Sequence, residues 1–235
     1  AEIMIGSVKD AASHFSILAE CENNPSDKSL YLKYLGWIKE FYLTDREGAH
    51  KDYDAALIYA QESDNVELIA EILMLQGYSL TRKNSIELLH ESARLIKDIN
   101  TDLYIRTISI IIYVSQLSGD IKQMQRYLRE LNLLYESSDI KDTTRIKTYN
   151  ILYLVSFLQG DYEKAKYYVD QMINISKHTL NELDNISNLE VLGGLFYIEG
   201  KYLQMIDTLN EALFSQKDLE INFNDNDFTK LIGRI

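Results

Sequence analysis

The residues best able to bind a metal or act as nucleophiles are scattered along the sequence. The single cysteine, Cys21, has no second thiol with which to share a zinc ion or form an internal disulfide. No two histidines have the spacing that would let them hold a metal from one helical face. The sequence therefore predicts no metal site, and nothing in it marks an oxidising compartment. The four histidines are His14, His50, His90 and His178.

Signals for phosphate binding and acid–base chemistry are equally weak. Gly193-Gly194 lacks the third glycine and the downstream lysine of a phosphate-binding loop. No serine stands in a G-x-S-x-G nucleophile elbow. Carboxylate pairs such as Glu40 with Asp45 could act as general acid and base, but in an acidic helical protein such pairs are usually solvated surface. We therefore expect no enzyme activity and no cofactor.

The composition favours an acidic protein made of long helices. The 235 residues include 36 acidic and 24 basic side chains, for a net charge of −12, and a single proline. Proline breaks helices, so its rarity favours uninterrupted ones, and an acidic surface is poorly suited to binding nucleic-acid phosphates. The most apolar stretch, 108–114, is far shorter than the roughly 20 residues of a membrane span, and no targeting segment is visible. These features predict a cytoplasmic protein without nucleic-acid or membrane contacts.

Short, similar turn segments recur along the chain at intervals near 40 residues. Each is followed by apolar or small residues at helical spacing, such as Tyr162, Ala165, Val169 and Met172. All but the first are also preceded by such a stretch, so a unit of helix, tight turn and helix repeats. The turn residues are Gly6, Thr44, Asn84, Gly119, Gly160 and Gly200, with separations of 38, 40, 35, 41 and 40.

The best-defined unit resembles the tetratricopeptide repeat (TPR). Residues 192–202, LGGLFYIEGKY, match the signature L-G-x2-Y-x3-G-x-Y, with Phe196 in the place of the first tyrosine. Residues 160–165, GDYEKA, match the G-x-Y-x2-A step of the same motif. The resemblance covers about residues 6–215 and implies an all-α fold, a right-handed α-solenoid of about five TPR-like helix hairpins plus end helices. A helical bundle without repeats is the alternative fold.

Helix caps and small residues agree with such units. N-caps are expected at Asp120 and Asp161, which directly follow turn glycines, at Ser85, and at Thr44 with Glu47 as a capping box. The turn glycines fit helix ends that need a left-handed residue. Small side chains would let adjacent helices approach where they cross, although bulkier residues replace them in some units. The small residues are Gly36, Ala49, Ala165, Gly193 and Ala212.

The predicted organisation has one incomplete unit, five full units and a tail. Residues 1–29 hold the second helix of an incomplete or capping repeat, with Pro25 as the break after it. Either residues are missing upstream or this helix is itself the cap, and we favour the first. Residues 216–235 form a tail with a capping helix. The five units cover approximately 30–67, 68–104, 105–144, 145–183 and 184–215.

A helical repeat of this kind offers a concave groove lined by the first helix of each unit. In the proteins that this sequence resembles, the side chains ten, six and three residues before each turn residue point into the groove. The positions ten residues before a turn include Met74, Ser109 and Glu190. Aromatic rings there would cover apolar side chains of an extended peptide, amides would bond its backbone, and rim cations would meet carboxylates. The residues expected to bind a peptide or protein segment are Tyr78, Arg106, Tyr113, Gln116, Lys147, Asn150, Phe157 and Tyr197.

The sequence therefore predicts a non-catalytic binding module that captures a peptide or an extended protein segment. Its long degenerate units, its richness in Ile, Asn and Tyr and its acidity resemble the receptor domains of bacterial and phage peptide-sensing regulators. That resemblance implies the sensory part of a larger intracellular regulator, which controls an attached segment. The alternative is a scaffold subunit that assembles a multiprotein complex. A homodimer is compatible with both functions.

Overall fold

The computed structural model describes residues 8–79, 84–137, 140–179 and 182–218. Regular secondary structure in these ranges is entirely α-helical, which confirms the all-α prediction. The helices are α1 (Val8–Cys21), α2 (Pro25–Phe41), α3 (Arg46–Glu62), α4 (Val66–Tyr78), α5 (Ser85–Ile96), α6 (Thr101–Ser118), α7 (Ile121–Ser137), α8 (Asp142–Leu158), α9 (Tyr162–Thr179), α10 (Glu182–Ile198) and α11 (Tyr202–Asp218).

The chain divides into two compact units, Ala1–Ser137 with helices α1 to α7 and Ser138–Ile235 with helices α8 to α11. Within each unit, helices that follow one another in the chain pack against each other. In the first unit, α4 also contacts α2 and α6, so these three alternate helices lie side by side. The capping helix predicted after residue 227 lies outside the described residues.

Asparagine caps set where two of the alternate helices begin. The side-chain oxygen of Asn24 accepts a hydrogen bond from the backbone N–H of Ser26 at 2.9 Å, with Pro25 at the first helical position. In the same way, Asn100 Oδ1 accepts from the N–H of Leu103 at 3.0 Å. Because of these caps, α2 and α6 begin a few residues before the predicted unit starts at 30 and 105.

Four of the turn residues that recur in the sequence share a backbone conformation, and Gly6 lies outside the described residues. Gly119, Gly160 and Gly200 have φ angles of 76°, 75° and 72°. Thr44, at the same point of an earlier helix hairpin, has a φ angle of 56°. All four are left-handed, as predicted for the glycines. Asn84 differs, because its φ is −106°. Asn84 is therefore the described member of the series that departs from the common turn geometry.

The caps predicted after the turn glycines are confirmed. Asp120 Oδ1 accepts a hydrogen bond from the backbone N–H of Gln123 at 3.0 Å. Asp161 Oδ1 accepts from the N–H of Lys164 at 3.1 Å. Each carboxylate satisfies a backbone donor that the first helical turn would otherwise leave open, and its charge is favourable at that end of the helix.

Two other predicted caps are wrong. Thr44 does not cap α3, because its left-handed backbone moves the cap one residue on, where Asp45 Oδ1 accepts from the N–H of Gly48 at 2.9 Å. Ser85 lies inside α5, and its hydroxyl donates a hydrogen bond to the backbone carbonyl of Ser79 at 3.0 Å. Serine here ties the end of α4 to the start of α5 instead of capping α5.

Replacing Thr44 with glycine is expected to raise the free energy of unfolding by about 1 kcal/mol, because a β-branched residue is strained in the left-handed region. Urea unfolding followed by circular dichroism measures the change. The matched control is Asn84→Gly, where φ is negative and glycine should only add disorder to the unfolded chain. Equal responses at the two positions would contradict this account of the turns.

Small residues lie where helices cross, as predicted. A Cβ on Gly36 would lie 2.8 Å from Cε1 of Tyr53, so α2 and α3 approach too closely for any side chain there. A Cβ on Gly193 would lie 2.8 Å from Cδ2 of Leu209, at the crossing of α10 and α11. The other small residues predicted at crossings, Ala49, Ala165 and Ala212, are all buried.

Each unit has its own apolar core. In the first, the face of α3 that contains Ala56 and Tyr53 is fully buried and packs with Leu68 and Ile72 of α4. In the second, Val169 and Met172 of α9 pack with buried residues of α10 and α11. Helices α4 and α6 have seven and nine buried residues against four on α3, and the rest of α2, α4 and α6 is half-buried or exposed.

Candidate binding face

Three alternate helices of the first unit, α2, α4 and α6, share one face. Helix α4 lies between the other two and contacts both. Two rows of side chains in mutual contact run across the three helices, one charged and one aromatic. We define the α2–α4–α6 face by these rows. The ion row is Lys33, Glu71 and Arg106, and the aromatic row is Phe41, Tyr78 and Tyr113.

The ion row places one carboxylate between two cations. Lys33 Nζ lies 2.7 Å from Glu71 Oε2, although the lysine side chain is only 5% exposed. The other carboxylate oxygen of Glu71 lies 3.8 Å from Nη1 of Arg106. The ammonium of Lys33 also lies 4.3 Å from the centroid of the Tyr34 ring, a favourable cation–π distance. The row carries one net positive charge in a chain whose net charge is −12.

The aromatic row is built of stacked and tilted rings. The centroids of Phe41 and Tyr78 are 5.7 Å apart in a stacked arrangement, and those of Tyr78 and Tyr113 are 6.5 Å apart. Trp37 lies beside the aromatic row, on the side of the ion row, with its ring centroid 6.1 Å from that of Phe41. Burial above all, and then the neighbouring Tyr113, raises the pKa of Tyr78 above its ordinary value. A tyrosine hydroxyl is protonated at neutral pH and can donate a hydrogen bond.

Helical periodicity fixes the distance between the rows. Glu71 and Tyr78 are seven residues apart on α4, and so are Arg106 and Tyr113 on α6. Seven residues make two turns, so the rows lie about 10 Å apart along the helices and on one face. Half-buried apolar residues stand one turn after each member of the ion row, between the rows. These residues are Trp37, Leu75 and Ile110.

The structure brings together three of the four residues predicted to bind in the first unit. Tyr78 and Tyr113 are neighbours in the aromatic row, and Arg106 belongs to the ion row on the same face. Gln116 is half-buried, one turn beyond Tyr113 on α6 and outside both rows. Its backbone carbonyl accepts the N–H of Gly119 at 3.2 Å, at the end of the helix.

The second unit contains the other predicted residues, and three of them lie on α8. Lys147 and Asn150 are exposed, one turn apart. Phe157 is half-buried near the end of the helix, with its ring centroid 5.9 Å from that of Tyr153 and 5.7 Å from that of Tyr162. Helix α8 thus contains an amide, a cation and a ring, and their part in binding stays a prediction.

Tyr197 is the predicted residue on α10. Its side chain is 56% exposed, and its ring centroid lies 6.0 Å from that of Tyr202 at the start of α11. Glu190, one of the groove positions that the resemblance implied, is half-buried on the same helix. Burial raises the pKa of its carboxyl above the ordinary value. Glu190 is therefore less suited than an exposed carboxylate to holding a positive charge on a ligand.

The groove positions ten residues before the turns are wrong in the first unit. Met74 and Ser109 are each 1% exposed, and the hydroxyl of Ser109 donates to the carbonyl of Ile105 at 2.7 Å. Met74 and Ser109 each follow a member of the ion row, Glu71 or Arg106, by three residues. Three residues are less than one helical turn, so the later side chain is rotated away from the row and lies in the core. Leu75 and Ile110, nine residues before their turns, are the half-buried residues instead.

Three members of the two rows were not predicted from the sequence. Glu71 stands thirteen residues before Asn84, just as Arg106 stands thirteen before Gly119, so equal distances from the turns align these two members. Phe41 stands three residues before Thr44, whereas Tyr78 stands six before Asn84, so equal offsets do not align the aromatic row. Lys33 carries no signal of its own, because an isolated lysine is normally read as solvated surface.

The side chain of His90 takes part in hydrogen bonds between helices. His90 Nε2 lies 3.0 Å from Oε1 of Gln123, and its Nδ1 lies 3.0 Å from the hydroxyl of Tyr127. These bonds link α5 to α7 without a carboxylate. Across residues 8–79, 84–137, 140–179 and 182–218, no three His, Cys, Asp or Glu side chains group as metal ligands would, and no helix is both long and apolar enough to cross a bilayer.

Comparison with known proteins adds a likeness of fold. No protein-family model matches the sequence, and no curated protein matches it. Among solved structures, the chain is similar to BtubC (BKLC) from P. vanneervenii, with a TM-score of 0.57 over 95% of this chain and 93% of that one. The two sequences are 13% identical. At that identity the likeness extends to the helical fold alone.

Proposed function

We propose that this protein is a non-catalytic, TPR-like binding module that captures a peptide or an extended protein segment. Its helix hairpins stack, within each unit, as a right-handed α-solenoid. The contacts of α4 with both α2 and α6 support this proposal best, because alternate helices of a solenoid line one continuous surface. We take the α2–α4–α6 face as the binding surface of the first unit.

The side chains of this face suit an extended chain. Phe41 is exposed, and Tyr78 and Tyr113 are half-buried, so their rings are held by their neighbours but remain accessible. Rings that are already ordered lose little conformational freedom when a ligand binds. In the second unit, the exposed Asn150 and Lys147 offer an amide for a peptide backbone and a cation for a carboxylate.

A regulatory role is part of the same proposal. The module is the sensory part of a larger intracellular regulator, and ligand capture controls an attached segment. The net charge of −12 makes this module poorly suited to binding nucleic acid, so any nucleic-acid contact of such a regulator would be made by the attached segment.

Selection from a display library of random nonapeptides tests the proposed function. We expect enrichment of peptides that bind the wild-type chain in fluorescence anisotropy. Tyr113→Ala should weaken binding of peptides captured by the first unit by at least about tenfold, and Asn150→Ala should do the same for peptides captured by the second unit, as for interface residues that dominate affinity. The control is Tyr167→Ala, since Tyr167 is 55% exposed on α9 and outside the predicted set. Enrichment of no peptide, or equal binding by all variants of unchanged helical content, would contradict the proposal.

The terminal described helix favours a second candidate, a scaffold subunit. Contiguous exposed apolar surface is uncommon on a monomer and often marks a protein interface. Under this function, Leu203→Asp would abolish assembly with a folded partner, and Tyr113→Ala would have no effect. The exposed apolar residues of α11 are Tyr202, Leu203, Ile206, Leu213 and Phe214.

A further inference from the structure

Arg106 has donors that its own unit does not use. Its Nη1 lies 3.8 Å from Glu71 Oε1, beyond hydrogen-bond distance, and the guanidinium makes no hydrogen bond to another of the described residues. The other carboxylate oxygen of Glu71 is paired with Lys33 at 2.7 Å. A guanidinium has five N–H donors arranged to meet a carboxylate with two parallel bonds. The side chain of Arg106 is 24% exposed, so an anion can reach it from solvent.

The charge balance of the ion row favours a second carboxylate. Lys33 and Arg106 carry two positive charges against the single negative charge of Glu71. All three side chains are less than one-third exposed, so water screens their charges less than on an open surface. A ligand carboxylate on Arg106 would bring the site to neutrality.

The aromatic row favours a ligand that has an apolar or aromatic group at a set distance from its carboxylate. Tyr113 lies two helical turns from Arg106, about 10 Å along α6. The surface between them is apolar and half-buried, with Ile110 on α6 and Leu75 on α4. A peptide in the polyproline II conformation rises about 3.1 Å per residue with three residues per turn, so side chains three positions apart lie on one face and about 9 Å apart, close to this distance.

We propose that the ligand of the α2–α4–α6 face is a peptide segment with a carboxylate bound by Arg106 and, three residues away, an apolar or aromatic side chain packed on Tyr113 and Tyr78. This inference rests on the proposed function and specifies its ligand. The carboxylate is that of an acidic side chain or of a free C-terminus, since both offer the same two oxygens to the guanidinium.

Two nonapeptide libraries, one with amidated and one with free C-termini, are the probes. Peptides selected by the wild-type chain should carry Asp or Glu three positions from an apolar or aromatic residue in both libraries if a side chain binds. They should carry the apolar residue three positions before the end, in the free library alone, if the C-terminus binds. Arg106→Gln should weaken binding of the leading peptide by at least about tenfold, and Arg106→Lys by less.

The matched control is Arg94→Gln, which removes an exposed arginine already paired with Glu91 through bonds of 2.6 and 2.9 Å. It should leave the Kd unchanged. A peptide consensus without a carboxylate, or equal affinity for wild type and a folded Arg106→Gln, would overturn this inference and leave the proposed function standing. Enrichment of no peptide in either library would overturn both.

Discussion

Replacing Lys33 with methionine is expected to lower the free energy of unfolding by about 2 kcal/mol. The substitution removes a lysine that is 5% exposed and leaves Glu71, 29% exposed, with Arg106 at 3.8 Å as its remaining partner. Loss of one partner from a buried ion pair is costly because the other charge stays out of water without compensation. Urea unfolding measures the effect, and Lys33→Met with Glu71→Met should recover much of the loss.

Lys51→Met is the matched control for this substitution. Lys51 and Glu47 form a pair of almost the same length, 2.8 Å, but their side chains are 73% and 83% exposed. Exposed pairs contribute little to stability, so we expect no measurable change. A similar loss of stability from both substitutions, or none from either, would show that burial does not decide the strength of the ion row.

Gly77→Ala is expected to lower the free energy of unfolding by about 3 kcal/mol. A Cβ at this position would lie 2.5 Å from Cγ of Leu89 and 2.8 Å from the backbone oxygen of Ser85. Helices α4 and α5 would have to separate, and such overpacking outweighs the roughly 1 kcal/mol that alanine gains over glycine within a helix. Calorimetry or urea unfolding measures the change.

The sign of this change distinguishes the two causes. If Gly77 were merely a poor helix former, alanine would stabilise the protein, and that result would contradict the close approach of α4 and α5. A double-mutant cycle with Leu89→Ala adds a second readout. The two substitutions should be less damaging together than the sum of their separate effects, because removal of the leucine side chain relieves one of the two short contacts.

The recurring turns show how much of the fold local sequence can specify. Gly119, Gly160 and Gly200 were recognisable because glycine favours the left-handed conformation that they adopt. Thr44 has the same conformation with an unfavourable residue type, so only its place in the series marked it. Its consequence, the shift of the cap to Asp45, was not predictable, because the capping position depends on which residue follows the left-handed one with a non-helical backbone.

The face itself was only partly predictable for a different reason. Arg106, Tyr78 and Tyr113 were selected by their distances from the turn residues, which the resemblance implied and the sequence contains. The burial of Lys33 could not be predicted in this way. It depends on the lateral contact of α2 with α4, which brings Glu71 of the next helix hairpin to the ammonium group of Lys33. Met74 and Ser109 failed because offsets taken from a resemblance do not fix which way a helix is rotated on its core.

Photo-crosslinking of a selected peptide tests the central claim most directly. A benzoylphenylalanine placed at the apolar position of the leading nonapeptide is irradiated with the full chain, and the crosslinked residue is identified by mass spectrometry. Capture on the α2–α4–α6 face predicts crosslinks to the aromatic row, at Phe41, Tyr78 or Tyr113. Crosslinks confined to the exposed apolar residues of α11, such as Leu203 and Phe214, would contradict it.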